Sequence, residues 1–294
     1  MNRWLFDPVP ARRLAVLRIL VVGFALGWLV LRLPHLLSVA RFDDDDRFDP
    51  VGALSLVPGP VPPGVGLTFV LVTVAVGVAA LVGWRWRVTG LAFAVGFLLV
   101  STYRNSWGQV FHTENLVAIH LFVLAFAPAG AALGVGASED PDEVAGWPVR
   151  LMCVATVAAY VLAGWAKLRI GGLDWLDGDT LRNQVAHDNV RKALTGEWYS
   201  PLARHAVSDA ALWPALAVVT MAVELGAPLA LLGGKWRTVW VLAAWGFHVG
   251  VLLLMAITFP YQLLGIAYAS FFAVERLLDR LPGRRRLGLA PPVR

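Results

Sequence analysis

Lys167 is the residue whose setting most suggests chemistry. It closes an apolar run, Trp147 to Leu168, in which the only other side chain charged at neutral pH is Arg150. About 20 such residues span a bilayer, so Lys167 falls where hydrocarbon meets water. An ordinary lysine, with a pKa of about 10.4, is almost wholly ammonium near neutral pH and a poor base. Desolvation disfavours the ammonium and can lower a lysine pKa by about 3–5 units, which makes the amine a proton acceptor. A second reading stands beside this one: the side chain snorkels, laying its methylenes on apolar surface and its charge among headgroups near Trp165 and Trp175.

Other polar groups interrupt apolar runs. Glu224 lies near 16 Å along its helix at about 1.5 Å per residue, His248 lies at similar depth in the next run, and the two are placed to pair. His112 and His120 fall within about 80° on a helical wheel, facing one outward-opening cavity. An alternative for His120, His248 and Glu224 is interhelical hydrogen bonding that fixes the bundle. Arg18 and Arg32, near opposite ends of the first run, are expected to snorkel. None of these spacings is the i, i+4 pattern of a helix-borne metal site, and the single cysteine excludes an intramolecular disulfide or a thiolate metal site, so no metal is expected.

The elements that must position these residues are membrane helices. With 58% hydrophobic and 15% charged residues and a mean hydropathy of +0.65, the 294-residue chain cannot dress a water-soluble surface. The expected fold is all-α, a polytopic membrane bundle of about eight helices: Leu14 to Leu33, Val65 to Gly83, Val88 to Tyr103, Asn115 to Ala132, Trp147 to Leu168, Leu212 to Leu232, Val239 to Thr258 and Gln262 to Leu278. The first run is too long for the apolar region of a signal peptide. Arg3, Arg12, Arg13, Arg85, Arg87, Lys235, Arg237, Arg276, Arg280 and Arg284 to Arg286 all fall on one side of eight crossings. The positive-inside rule makes that side, with both termini, cytoplasmic. The acidic loop Ser138 to Trp147 also falls there, though acids weigh little in the rule.

The net charge of +5 suits this topology better than a nucleic-acid partner, because the arginines cluster at loop ends. Asp43 to Asp46 lack the alternating ligands and glycine of an EF-hand loop and read as a solvated acidic loop. The long outward segment 169–211 should hold an interfacial helix opened by Gly178-Asp179 and closed by Gly196, with Ala186, Val190, Ala193 and Leu194 on its apolar face. Residues 281–294 read as a short basic cytoplasmic tail, and no soluble domain is expected.

Several segments together resemble a known family. Tyr160-x-x-Ala163-Gly164-x-x-Lys167-Leu168 with Asp174-Trp175 and Gly178, then Trp198-Tyr199-Ser200-Pro201, Glu224-Leu-Gly226-Ala-Pro228, Phe247-His248 and Gln262-Leu-Leu-Gly265 are similar, in order, to segments of vitamin K-dependent γ-glutamyl carboxylase and its bacterial relatives with the HTTM membrane domain. Tyr103 to Trp107 and His112-Thr-Glu114-Asn115 resemble its upstream polar loop. The match runs from about Tyr103 to Phe272, within an HTTM-like transmembrane domain over residues 1–280.

The resemblance implies a multi-pass enzyme of the bacterial plasma membrane with its active side extracytoplasmic. Lys167 would deprotonate vitamin K hydroquinone or another quinol, which reacts with O2 to give a strong base. CO2 would then be captured on a glutamate-containing protein or a small-molecule acceptor. By the same resemblance His112 shares catalysis and quinol binding and His248 lies near the quinol pocket; His120, Arg104 and Trp165 are the further candidate quinol-binding residues. Membrane lipid is an expected partner. The resemblance departs in two places: Ala166 stands where the family often has a second lysine, and the extracytoplasmic substrate-capturing domain of the carboxylase has no counterpart among these residues. A non-catalytic membrane module, or a small-solute or proton pathway through Glu224, His248 and His120, are the competing readings.

Overall fold

The computed structural model describes residues 2–136 and 143–280, so the predicted basic tail and residues 138–142 of the acidic Ser138 to Trp147 loop lie outside the described residues. Twelve described segments are α-helical and one two-stranded ribbon is present. Among the described residues five helices are long and apolar enough to cross a membrane. The chain is a polytopic helical membrane protein. It divides into two compact units, residues 1–152 with 272–294, and residues 153–271.

The first unit opens with α1 (Asn2–Phe6) and β1 (Val9–Pro10), followed by α2 (Ala11–Leu31) and α3 (Leu33–Val39). It continues through α4 (Pro63–Leu81), α5 (Trp86–Asn105) and α6 (Asn115–Ala125), then β2 (Glu143–Val144). β2 pairs antiparallel with β1, Val9 opposite Val144. Helix α7 (Trp147–Gly171) starts here, with Arg150 donating to the Asp7 carbonyl at 2.8 Å. Leu14, Leu17, Val21, Val22, Ala25 and Leu29 of α2 are fully buried.

Arg18, in the same helix, does not snorkel as expected. It is 0% exposed, and its guanidinium donates to the carbonyls of Ala129 and Leu133 at 2.7 Å each and of Ala132 at 3.3 Å. Those carbonyls follow α6, which stops at Ala125 although its apolar run continues to Ala132, and Pro128 cannot extend the helix. Carbonyl dipoles from the broken end thus replace the headgroups. Arg32 is exposed and lies against the Trp28 ring.

In the second unit α7 passes into a 3-10 turn, Gly172–Asp177, and then α8 (Asp179–Thr195), α9 (Pro201–Ser208), α10 (Leu212–Leu225), α11 (Gly234–Met255) and α12 (Pro260–Leu263). Pro228 ends the sixth apolar run as an α-helix, and Ala227–Leu232 is 3-10. The last run likewise breaks into α12 and two 3-10 stretches, Ile266–Phe271 and, in the first unit, Val274–Arg280.

Helix α8 has the predicted bounds, with Gly178 at φ 85° and Gly196 at φ 74°. The common apolar face is the outer one, with Val190 and Leu194 58% and 83% exposed, while Val185, Asn189 and Lys192 are buried. The reason is the end of α11, whose last carbonyls need donors. Asn189 donates to Leu254 O at 2.9 Å, Lys192 to Met255 O at 2.5 Å, and Ser200 to Leu253 O. Three polar side chains therefore cap three successive carbonyls and fasten segment 179–201 to α11.

Candidate functional site

Residues Cys153, Thr156, Tyr160, Gly164 and Lys167 recur at three- and four-residue steps and form one stripe on α7. Each polar member meets a partner in the second unit. Cys153 Sγ donates to Ser270 Oγ at 3.5 Å and Thr156 Oγ1 to the Ala267 carbonyl at 3.2 Å. The Tyr160 hydroxyl is 2.8 Å from His248 Nε2 and 2.5 Å from the Tyr268 hydroxyl. It owns one proton, so it donates to one neighbour and accepts from the other, and the direction of the chain can reverse. At Gly164 a Cβ would meet Glu224 Cβ at 3.0 Å and Leu225 Cδ2 at 2.9 Å, so the missing side chain is what lets α7 and α10 approach here.

That approach delivers Glu224 to Lys167. Lys167 Nζ donates to Glu224 Oε1, and the two form an ion pair. The lysine side chain is 24% exposed and the glutamate side chain 4%. Lys167 Nζ also lies 5.6 Å from the centroid of the buried Trp175 ring, whose helical turn packs on Ala217 and Met221 of α10. The ammonium is thus held between a carboxylate and an aromatic face. One reading made from the sequence is corrected here. Glu224 pairs with Lys167, not with His248, because α10 presents it to the Gly164 notch of α7. His248 faces Tyr160 and stacks against Phe259 at 4.8 Å between centroids.

Three buried polar atoms beside these contacts have no hydrogen-bond partner: Glu224 Oε2, His248 Nδ1 and Trp175 Nε1. They are, in turn, an acceptor, a group of either role and a donor. Among the described residues no group of three or more His, Cys, Asp or Glu side chains is placed to hold a metal.

The remaining predicted residues lie elsewhere. Trp165 is 58% exposed and about 200° around α7 from Lys167, so it does not face this stripe. Residues His112, His120 and Arg104 belong to the first unit. His112 is exposed before α6. His120 is fully buried, and its Nε2 lies 3.2 Å from the Met152 carbonyl. Arg104 is buried, 3.5 Å from Glu114 Oε2 and 3.2 Å from Asn105 Oδ1, with its guanidinium 4.5 Å from the Phe111 ring centroid. Sequence reasoning gave Tyr160 no role and missed Tyr268 altogether. The polar three- and four-residue spacing within α7 was the available signal for Tyr160, whereas Tyr268 sits in a 3-10 stretch with no helical period to expose it.

The chain matches the family model described as HTTM domain over residues 6–275. No curated protein and no solved structure matches it. Since the family match spans most of the 294 residues, this chain belongs to the HTTM-domain family.

Proposed function

We propose that this HTTM-domain protein is a membrane enzyme that activates a quinol toward O2, with Lys167 as the base and Glu224 as its proton partner. The observation that carries the reading is the Lys167–Glu224 pair, set in a dry helix contact yet partly open at the lysine. When bound, a quinol would give up a phenolic proton to the chain and be oxidised by O2 to its epoxide with release of water; the chain's task is to receive that proton and keep bulk water away. Lys167 accepts a proton only from its amine form. That form arises when the ammonium passes a proton to Glu224, giving an amine beside a carboxylic acid with no change in net charge. Glu224 Oε2 and Trp175 Nε1 are left to orient a hydroxyl at Lys167 Nζ. Tyr160, His248 and Tyr268, two turns further along the stripe, hold a second proton chain whose direction is reversible.

The finer reading places eight crossings in a bacterial plasma membrane, three of them built from broken helices, with both termini cytoplasmic and segment 169–211 extracytoplasmic. The exposed Leu194, Trp198, Tyr199 and Leu202 support an interfacial position for that segment. Carboxylation of a glutamate-containing acceptor by CO2 is the extension that the family resemblance suggests.

The test is turnover of a reduced vitamin K analogue by purified protein with O2, bicarbonate and a glutamate peptide, scored for epoxide and carboxylated peptide by mass spectrometry. Lys167→Ala is expected to lose about 10²–10⁴-fold in epoxide formation. Undiminished epoxide in that variant would end the base assignment. A second reading, that the pair only fastens α7 to α10, is favoured by the partners found for every polar member of the α7 stripe; it predicts no quinol turnover by the wild-type protein.

A further inference from the structure

The outer apolar face of α8 is left uncovered by the rest of the second unit, with Val190 and Leu194 both exposed. Three residues of that face, Ala186, Val190 and Ala193, recur at three- and four-residue steps and line an open groove of about 590 Å³ between α8 and α9. Small-molecule sites have volumes of about 300–1,000 Å³. The groove keeps its width because the two helices are clamped at two levels. Ser200 N donates to Asn189 Oδ1 at 2.8 Å, and Arg182 Nε donates to the Val207 carbonyl at 2.8 Å. Between the helices Val185, Ala203 and Trp213 pack as one buried cluster, so the groove cannot close by bringing α8 and α9 together.

Arg204, His205 and Tyr199 bring donor groups to the same groove. Among the described residues neither Arg204 nor His205 takes part in an ion pair. Asp209, which follows α9, accepts from the Ala211 amide at 3.1 Å instead. A guanidinium without a carboxylate, set beside an uncovered apolar wall, complements a molecule with an anionic head on an apolar body. We infer that the α8–α9 groove binds a phospholipid of net negative charge, its phosphate on Arg204 and His205 and the first carbons of an acyl chain against Ala186, Val190 and Ala193. Among the described residues no acidic side chain lines the groove, so the ammonium of a zwitterionic head has no counterion there. The exposed Trp198 and Tyr199 stand where the chain enters α9, and such residues favour the headgroup level of a bilayer. The site requires the interfacial position proposed for segment 169–211 and is independent of the chemistry of Lys167.

The test is photo-crosslinking of the full chain in phosphatidylcholine nanodiscs with two probes, a phosphatidylglycerol and a phosphatidylcholine that carry the same diazirine near the glycerol ester. Label is mapped by mass spectrometry to peptides covering residues 186–194 and 198–208. In the wild-type chain phosphatidylglycerol should label these peptides about fivefold more than phosphatidylcholine, and excess unlabelled phosphatidylglycerol should displace it. Arg204→Gln should bring the ratio of the two labels close to one. Ala193→Trp, which fills the groove from its apolar wall, should lower the phosphatidylglycerol label about threefold or more. Equal labelling of the wild-type chain by both probes would overturn the inference while leaving the interfacial position of the segment in place. No label in these peptides from either probe would remove both. Displacement by inorganic phosphate alone would assign the groove to a free anion and overturn the lipid, and an unchanged ratio in Arg204→Gln would overturn it as well. The ratio in the wild-type chain decides the matter even where a variant fails to fold.

Discussion

Arg18 and Lys167 pose the same physical problem, a cation within an apolar helix, and the two units solve it differently. Arg18 is sealed among three backbone carbonyls and is fully buried. Lys167 is given a carboxylate and keeps a quarter of its side chain exposed. Arginine does not release its proton under protein conditions, and carbonyls cannot take one. A lysine beside a carboxylate can exchange one, and it has an opening through which to do so. The first arrangement is a clasp, and the second is a place where a proton can move.

Breaking the clasp should have the largest effect on stability. Arg18→Leu strands three carbonyl acceptors at the end of α6 and is expected to cost about 3 kcal/mol or more, read as a fall in the apparent melting temperature in detergent. Turnover per folded molecule should be unchanged. Breaking the pair should cost less, because Lys167 is partly solvated. Lys167→Met leaves Glu224 buried alone and is expected to cost about 1–3 kcal/mol, with Lys167→Met/Glu224→Leu recovering most of it in a double-mutant cycle. Additive single and double effects would show that the two side chains do not interact.

The caps on α11 come next. Asn189→Ala or Lys192→Ala should cost about 1 kcal/mol and speed hydrogen exchange across α8 more than across α11. Equal exchange in both helices would deny that these side chains fasten the segment. The smallest effect concerns Glu197 beyond α8. Its hydrogen bonds from Arg191, at 2.8 Å, and Thr195, at 2.9 Å, outweigh a weak opposing burial and hold its pKa below the usual carboxylate value. A lowered folded-state pKa means that the contact contributes above the unfolded carboxylate pKa and is lost as pH falls through the lowered one. Exchange at the 195–199 turn should therefore rise on acidification through that window, and Glu197→Gln should remove the pH dependence.

Much of this was legible in the sequence where one helix answers to its own composition. The apolar runs at Leu14, Val65, Val88, Trp147 and Val239 became α2, α4, α5, α7 and α11 within a few residues. Composition alone failed where proline decided the backbone, at Pro128 and Pro228. It failed again where a helix's partner was a backbone end: nothing in α8 itself reveals that Asn189 and Lys192 face inward to serve the carbonyls of α11. Lys167 and Glu224 stood out in the sequence as polar residues in apolar runs. Their pairing was not, because it rests on the close approach at Gly164.

The most direct measurement is epoxide formation from a reduced vitamin K analogue by Lys167→Arg beside the wild-type protein. Arginine keeps the charge and can keep Glu224 paired, but it cannot give up a proton to become a base. The account predicts a correctly folded Lys167→Arg protein with epoxide formation reduced by about 10²-fold or more. Wild-type rates in Lys167→Arg would contradict it and leave the pair as a second clasp.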